Sequence, residues 1–144
     1  MKKDLLIILL LLAISFFIPK DPVHIINFFR GVPSIAKQTQ IYNNEISMLN
    51  ITEMQELKKE FVRNYFFIVT YSFAGAEQNA NLIENILIPK FKKNGWIMKE
   101  KYNNKNDNMI MFVKKPYYCE VKLYKDIVRL EFGHLKSVVR LWDY

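Results

Sequence analysis

Hydrophobic and polar positions divide the chain into stretches with different periods. Leu5 to Ile18 is apolar save Ser15, with Lys2, Lys3 and Asp4 before it and Pro19-Lys20-Asp21-Pro22 after it. A short basic start and an apolar run form the layout of a secretory signal or a signal-anchor. Such a run leaves water for hydrocarbon while the lysines stay on the cytoplasmic side. As a helix it rises about 21 Å against a hydrocarbon core of roughly 30 Å, so a span needs a thinned bilayer or snorkelling lysines. Ala13-Ile14-Ser15 has the small residues of a cleavage site, but Phe16, Phe17 and Ile18 after it would leave an apolar end. Retention as an anchor is the reading favoured. Without cleavage the domain sits outside the cytoplasmic membrane; with it, the chain is secreted.

Val23, Ile25, Ile26, Phe28, Phe29 and Val32 form a second apolar patch, broken by His24, Asn27 and Arg30 and ended by Gly31 and Pro33. It fits a short amphipathic helix in the membrane interface or a first helix covering the domain. From Pro33 to Asn50, glutamine, asparagine and serine dominate, with Ile35, Ile41, Ile46 and Leu49 scattered among them. This reads as a spacer with a short helical piece. Thr52-Glu53-Met54-Gln55 has capping-box spacing, and Met54, Leu57 and Phe61 recur at helical spacing, so a helix of about ten residues is expected.

Tyr65 to Phe73 is aromatic and β-branched, the composition of a buried central strand. Leu82, Ile83, Ile86, Leu87 and Phe91 then mark a helix that Pro89 should kink and Asn94-Gly95 should close. Beyond Gly95 the period becomes two. Strands are expected over 96–102, 109–114 and 117–124, and another through Val128, Leu130 and Phe132. Residues 137–144 fit either a last strand or a terminal helix. The fold expected is α+β: a strand, a helix and an antiparallel β-meander, with helices on one face of the sheet and an N-terminal hydrophobic helix ahead. The organisation follows: 1–22 signal peptide or signal-anchor, 23–51 linker or juxtamembrane segment, 52–144 the α+β domain.

Composition narrows the chemistry. The 144 residues carry 21 Lys+Arg against 14 Asp+Glu, for a net charge of +7, and a single cysteine. Residues 1–20 contain only three of those lysines and one aspartate, so the remainder stays basic. Outside the membrane a basic domain is drawn to anionic lipid headgroups or anionic cell-wall polymers. One cysteine excludes a disulfide framework and a cysteine-rich zinc site, and no His/Asp/Glu cluster has metal-ligand spacing. No cofactor or metal is expected.

Cys119 falls on the inward face of its strand, as a small buried hydrophobe. His134 follows Gly133 without any nucleophile turn beside it, although a set with Cys119 or Asp126 is the one catalytic arrangement the sequence allows. Glu53, Glu56 and Glu60 read as a solvated helix face. Lys90, Lys92, Lys93, Lys99, Lys101, Lys105, Lys114 and Lys115 cluster in sequence near Tyr102, Tyr117 and Tyr118. Lysines among aromatics suit single-stranded nucleic acid, but no ribonucleoprotein-type motif is present and an exported chain seldom meets nucleic acid. The outward tyrosines Tyr118 and Tyr124 better fit a protein partner. The candidate partner surface is Lys92, Lys93, Lys99, Lys101, Tyr118, Lys122 and Tyr124.

The run Leu87-Ile88-Pro89-Lys90-Phe91-Lys92-Lys93-Asn94-Gly95-Trp96, followed by Phe112-Val113-Lys114-Lys115-Pro116-Tyr117-Tyr118, resembles small, signal-bearing bacterial proteins of unassigned function. The likeness runs from about Phe66 to Phe132 and implies no activity. The function expected is a non-enzymatic cell-envelope protein, held to the membrane through residues 5–18, that binds a protein or another anionic envelope component. The alternatives are a small secreted hydrolase using His134 and a membrane-associated immunity or inhibitor protein.

Overall fold

The computed structural model describes residues 22–62, 66–73, 83–103, 108–124 and 126–137. Two helices come first, α1 (Pro22–Phe29) and α2 (Ile35–Leu49). The strands β1 (Gln55–Val62) and β2 (Phe66–Ser72) follow, then a π-turn, Ile83–Leu87, that runs into α3 (Ile88–Lys93). The last four strands are β3 (Ile97–Asn103), β4 (Asn108–Lys114), β5 (Tyr117–Tyr124) and β6 (Ile127–His134). All six form one antiparallel sheet in the order β1-β2-β6-β5-β4-β3. The α+β architecture and the meander are as the periodicity predicts. Among the described residues no helix is long and apolar enough to cross a membrane. Residues 5–18, and all but Ser137 of the terminal element expected over 137–144, lie outside the described residues.

Register explains the core. Phe112 lies opposite Cys119 and Cys119 opposite Phe132. Val121 pairs with Leu130, which pairs with Val69. With alternate residues on alternate faces, these side chains share one side of the sheet. Tyr42, Ile46 and Leu49 of α2, with Leu87 and Phe91, cover that side. Tyr42 is the centre of an aromatic group, 5.8 Å from Phe67, 5.6 Å from Phe132 and 5.6 Å from Tyr117 between ring centroids. Its hydroxyl donates to Gln38 Oε1 at 3.2 Å, which satisfies both buried groups.

Two expectations need correction. Residues 33–50 are not a spacer: α2 runs for 15 residues. Its buried stripe is Gln38, Tyr42, Ile46 and Leu49, a helical spacing that begins on a polar residue and so is hard to read. Ser34 caps its start, and Asn50, left-handed at φ 46°, closes its end. The helix expected from Thr52 is instead strand β1. Its Glu/Lys-rich sequence favours a helix locally, but pairing with β2, Phe61 opposite Phe67, decides otherwise. Glu53, Glu56 and Glu60 therefore do not share a helix face, and the charges of β1 suit a sheet edge.

Pro89 lies in the first turn of α3, directly after the wide turn Ile83–Leu87, a position where a helix needs no backbone donor from it. Gly95 is left-handed at φ +80° and closes α3, with Gly95 N–H donating to Lys92 O and Trp96 N–H to Phe91 O, both at 3.0 Å.

The second side of the sheet is charged at its centre. Lys122 bridges Glu120 at 3.0 Å and Glu131 at 3.2 Å, and Arg129 bridges Glu131 at 3.3 Å. Burial opposes the Lys122 charge, but the two carboxylates outweigh it and hold the ammonium pKa above its ordinary value. Toward one end, Met111, Val113 and Tyr118 pack with Phe66 and Leu135. Tyr118 is thus buried rather than part of an exposed tyrosine strip, lying across Gly133 of β6.

Candidate functional site: the outer edge of the sheet

The junction of α3 and β3 is held by contacts from the end of α2. Asn94 Nδ2 donates to Met48 O at 3.1 Å. Lys90 Nζ donates to Asn50 O and pairs with Glu53 Oε2 at 2.7 Å, which places a cation at the negative end of α2. The Lys90 hydrogen bond holds the Glu53 carboxyl pKa below its ordinary value. Trp96 Nε1 donates to Glu45 Oε2 at 3.1 Å, and Lys114 Nζ donates to both oxygens of Glu45 at 2.8 and 2.9 Å. The Trp96 ring is buried edge-on to Phe91 at 5.7 Å and Phe132 at 5.8 Å. This fixes the point at which the chain enters β3.

From that anchor the next two residues are exposed at the strand edge, Ile97 opposite Val113 and Met98 opposite Phe112. Ile97 is 61% exposed and Met98 38%, on a strand whose only partner is β4 among the described residues. A bulge between Met98 and Glu100 breaks the alternation, with Lys99 at the break. Lys92, Gly95, Trp96, Ile97 and Met98 line a shallow hollow of about 430 Å³. Lys92, Lys93 and Lys99 are exposed and carry no ion pair among the described residues. Lysine charge thus borders an apolar ledge on a strand edge that is open among the described residues.

The structure divides the surface expected from sequence. Lys92, Lys93 and Lys99 gather at this junction. Lys101 is on the same strand but is paired with Glu84 at 2.7 Å. Tyr118, Lys122 and Tyr124 belong to the other side of the sheet: Tyr118 is buried, Lys122 is held by carboxylates and Tyr124 stands exposed at the end of β5. Of the remaining lysines, Lys90 and Lys114 are engaged and Lys115 is exposed in the β4–β5 turn, while Lys105 lies outside the described residues. Sequence reasoning missed Ile97, Met98 and Glu45. The signal was two adjacent apolar residues at a strand start, where alternation allows only one to face inward.

The candidate catalytic groups have other partners. His134 is buried, its Nδ1 accepts from Lys136 N–H at 3.1 Å, and its ring meets Tyr117 edge-on at 5.4 Å. Burial, then Lys136, pulls its pKa below the ordinary value. Asp126 and His134 sit at opposite ends of β6, on the order of 25 Å apart at strand rise. Cys119 is fully buried in the core, and burial pushes its thiol pKa well up. Among the described residues no group of three or more His, Cys, Asp or Glu could hold a metal ion.

Comparison of the chain with protein-family models, with curated proteins and with solved structures gives no match.

Proposed function

We propose that this chain is a non-enzymatic cell-envelope protein, anchored through residues 5–18 with its basic domain outside, that captures a protein partner at the outer edge of β3. The observation that carries the binding reading is the exposed Ile97–Met98 ledge on an edge strand that pairs only with β4 among the described residues, bordered by Lys92, Lys93 and Lys99, which carry no ion pair among those residues. A free strand edge offers backbone donors and acceptors to an extended segment. The ledge takes an apolar side chain, and the lysines favour acidic neighbours. The partner chemistry is therefore an extended acidic segment with at least one apolar residue. The export reading is supported by the basic start and apolar run of the sequence.

A photocrosslinking residue at position 97, in the full chain in its own cells, tests the reading. One discrete adduct is expected, lost when Lys92 and Lys93 are both changed to Glu. No adduct at 97 beyond that obtained at the exposed Leu57 would overturn it.

A further inference from the structure

The helix α1 is reversed relative to what water requires. At about 100° per residue, Val23 and Asn27 share one arc and both are buried. Asn27 Nδ2 reaches Ser137 Oγ at 3.4 Å, so this polar side chain faces the domain. The opposite arc is apolar throughout: Ile25, Ile26, Phe28 and Phe29. Ile26 is 44% exposed, Phe28 75% and Phe29 81%, the two rings meeting edge-on at 5.8 Å. Few soluble surfaces present two adjacent phenylalanines in this way.

Four cations lie near the helix, by sequence or through the contacts of its buried arc. Arg30 follows α1 directly, and Lys37 lies in the first turn of α2. The Asn27–Ser137 contact puts Lys136 beside the helix, and Leu135 N–H donates to Pro116 O at 2.9 Å, which brings Lys115 to the same end of the sheet. None of Arg30, Lys37, Lys115 and Lys136 has an ion pair among the described residues. The carboxylate Glu45 near this end is occupied by Lys114 and Trp96. Exposed aromatics on a short helix, with cations near it that carry no ion pair among the described residues, suit the boundary between headgroups and acyl chains.

We infer that α1 lies in the plane of an anionic bilayer, with Ile26, Phe28 and Phe29 below the headgroups and Arg30, Lys37, Lys115 and Lys136 among the phosphates. The inference rests on the anchored reading above, and adds that the domain is docked end-on to the membrane rather than tethered free of it. The α3–β3 junction is then held at a fixed height above the lipid.

The test uses the full chain carrying Phe29→Cys, labelled with the fluorophore NBD and added to preformed vesicles of phosphatidylglycerol or phosphatidylcholine. Cys119 is fully buried, and a label at Leu57→Cys on β1 is the water-facing reference. On phosphatidylglycerol, dithionite is expected to bleach the label at 29 several-fold more slowly than at 57. Adding Arg30→Gln and Lys136→Gln is expected to remove much of that protection. Vesicle flotation with equal bleaching at 29 and 57 overturns the docking and leaves the anchor standing. Equal protection on both lipids overturns the role of the cations. A chain that does not float with either vesicle overturns the anchor, and the docking with it.

Discussion

Trp96 Nε1 and Glu45 Oε2 meet at 3.1 Å across 51 residues of sequence, and Lys114 closes the same carboxylate from the other side. One side chain of α2 thereby sets both the indole that ends α3 and the cation that ends β4. The exposed ledge at Ile97 and Met98 starts at the next residue, so its position depends on this contact. Glu45→Ala leaves the indole N–H without its acceptor and should cost about 1–2 kcal/mol. Denaturant unfolding followed by fluorescence measures the loss. Glu45→Gln, which keeps an acceptor, should cost less.

Gly133 and Tyr118 form a comparable pair on the other side of the sheet. They are directly opposite in register, and a Cβ at 133 would stand 2.5 Å from the Tyr118 ring. Gly133→Ala must displace the ring and should destabilise the fold by about 1–3 kcal/mol. In a Tyr118→Ala background the same change should cost little. A double-mutant cycle reads the coupling.

The buried His134 gives stability a pH dependence of definite sign. Its pKa in the folded state lies below the ordinary 6.5, so the unfolded chain takes the proton first as pH falls. Stability is complete above pH 6.5 and declines as pH drops from there toward the folded-state value. His134→Gln should flatten that part of a pH series of denaturant midpoints.

The ledge and the fold should be separable. Ile97 is 61% exposed, so Ile97→Ser should change stability by no more than about 0.5 kcal/mol. Under the proposed function it should still abolish partner capture. Thermal unfolding of the variant beside a crosslinking or co-purification assay checks both halves.

Legibility from sequence followed burial. The strands β5 and β6 bury Cys119, Val121, Leu123, Val128, Leu130 and Phe132 against the helices, so the alternation of these apolar residues with polar ones is plain and they fall where expected. The outer strand β1 buries little, and its glutamates and lysines carry local helix preference, reinforced by the helical spacing of Met54, Leu57 and Phe61, of which Leu57 is exposed in the strand. The opposite problem hid α2, whose narrow stripe begins at Gln38 and is bound by Tyr42, a partnership visible only once the helix forms. Alternation also fixed which residues share a side with Tyr118 without revealing that Phe66 and Leu135 pack over part of that side. At the candidate site the lysines were legible by number. Ile97 and Met98 offer only the weaker signal of two adjacent apolar residues at a strand start, because the bulge beside them breaks the two-residue period.

The account depends above all on where the domain resides. Cells carrying the full chain can be converted to spheroplasts, treated with external protease, fractionated, and the N-terminus of the chain sequenced. The account predicts a membrane-bound chain that keeps residues 1–22 and loses its domain to the protease. A full-length chain in the soluble cytoplasmic fraction, untouched by protease until the cells are lysed, would contradict it.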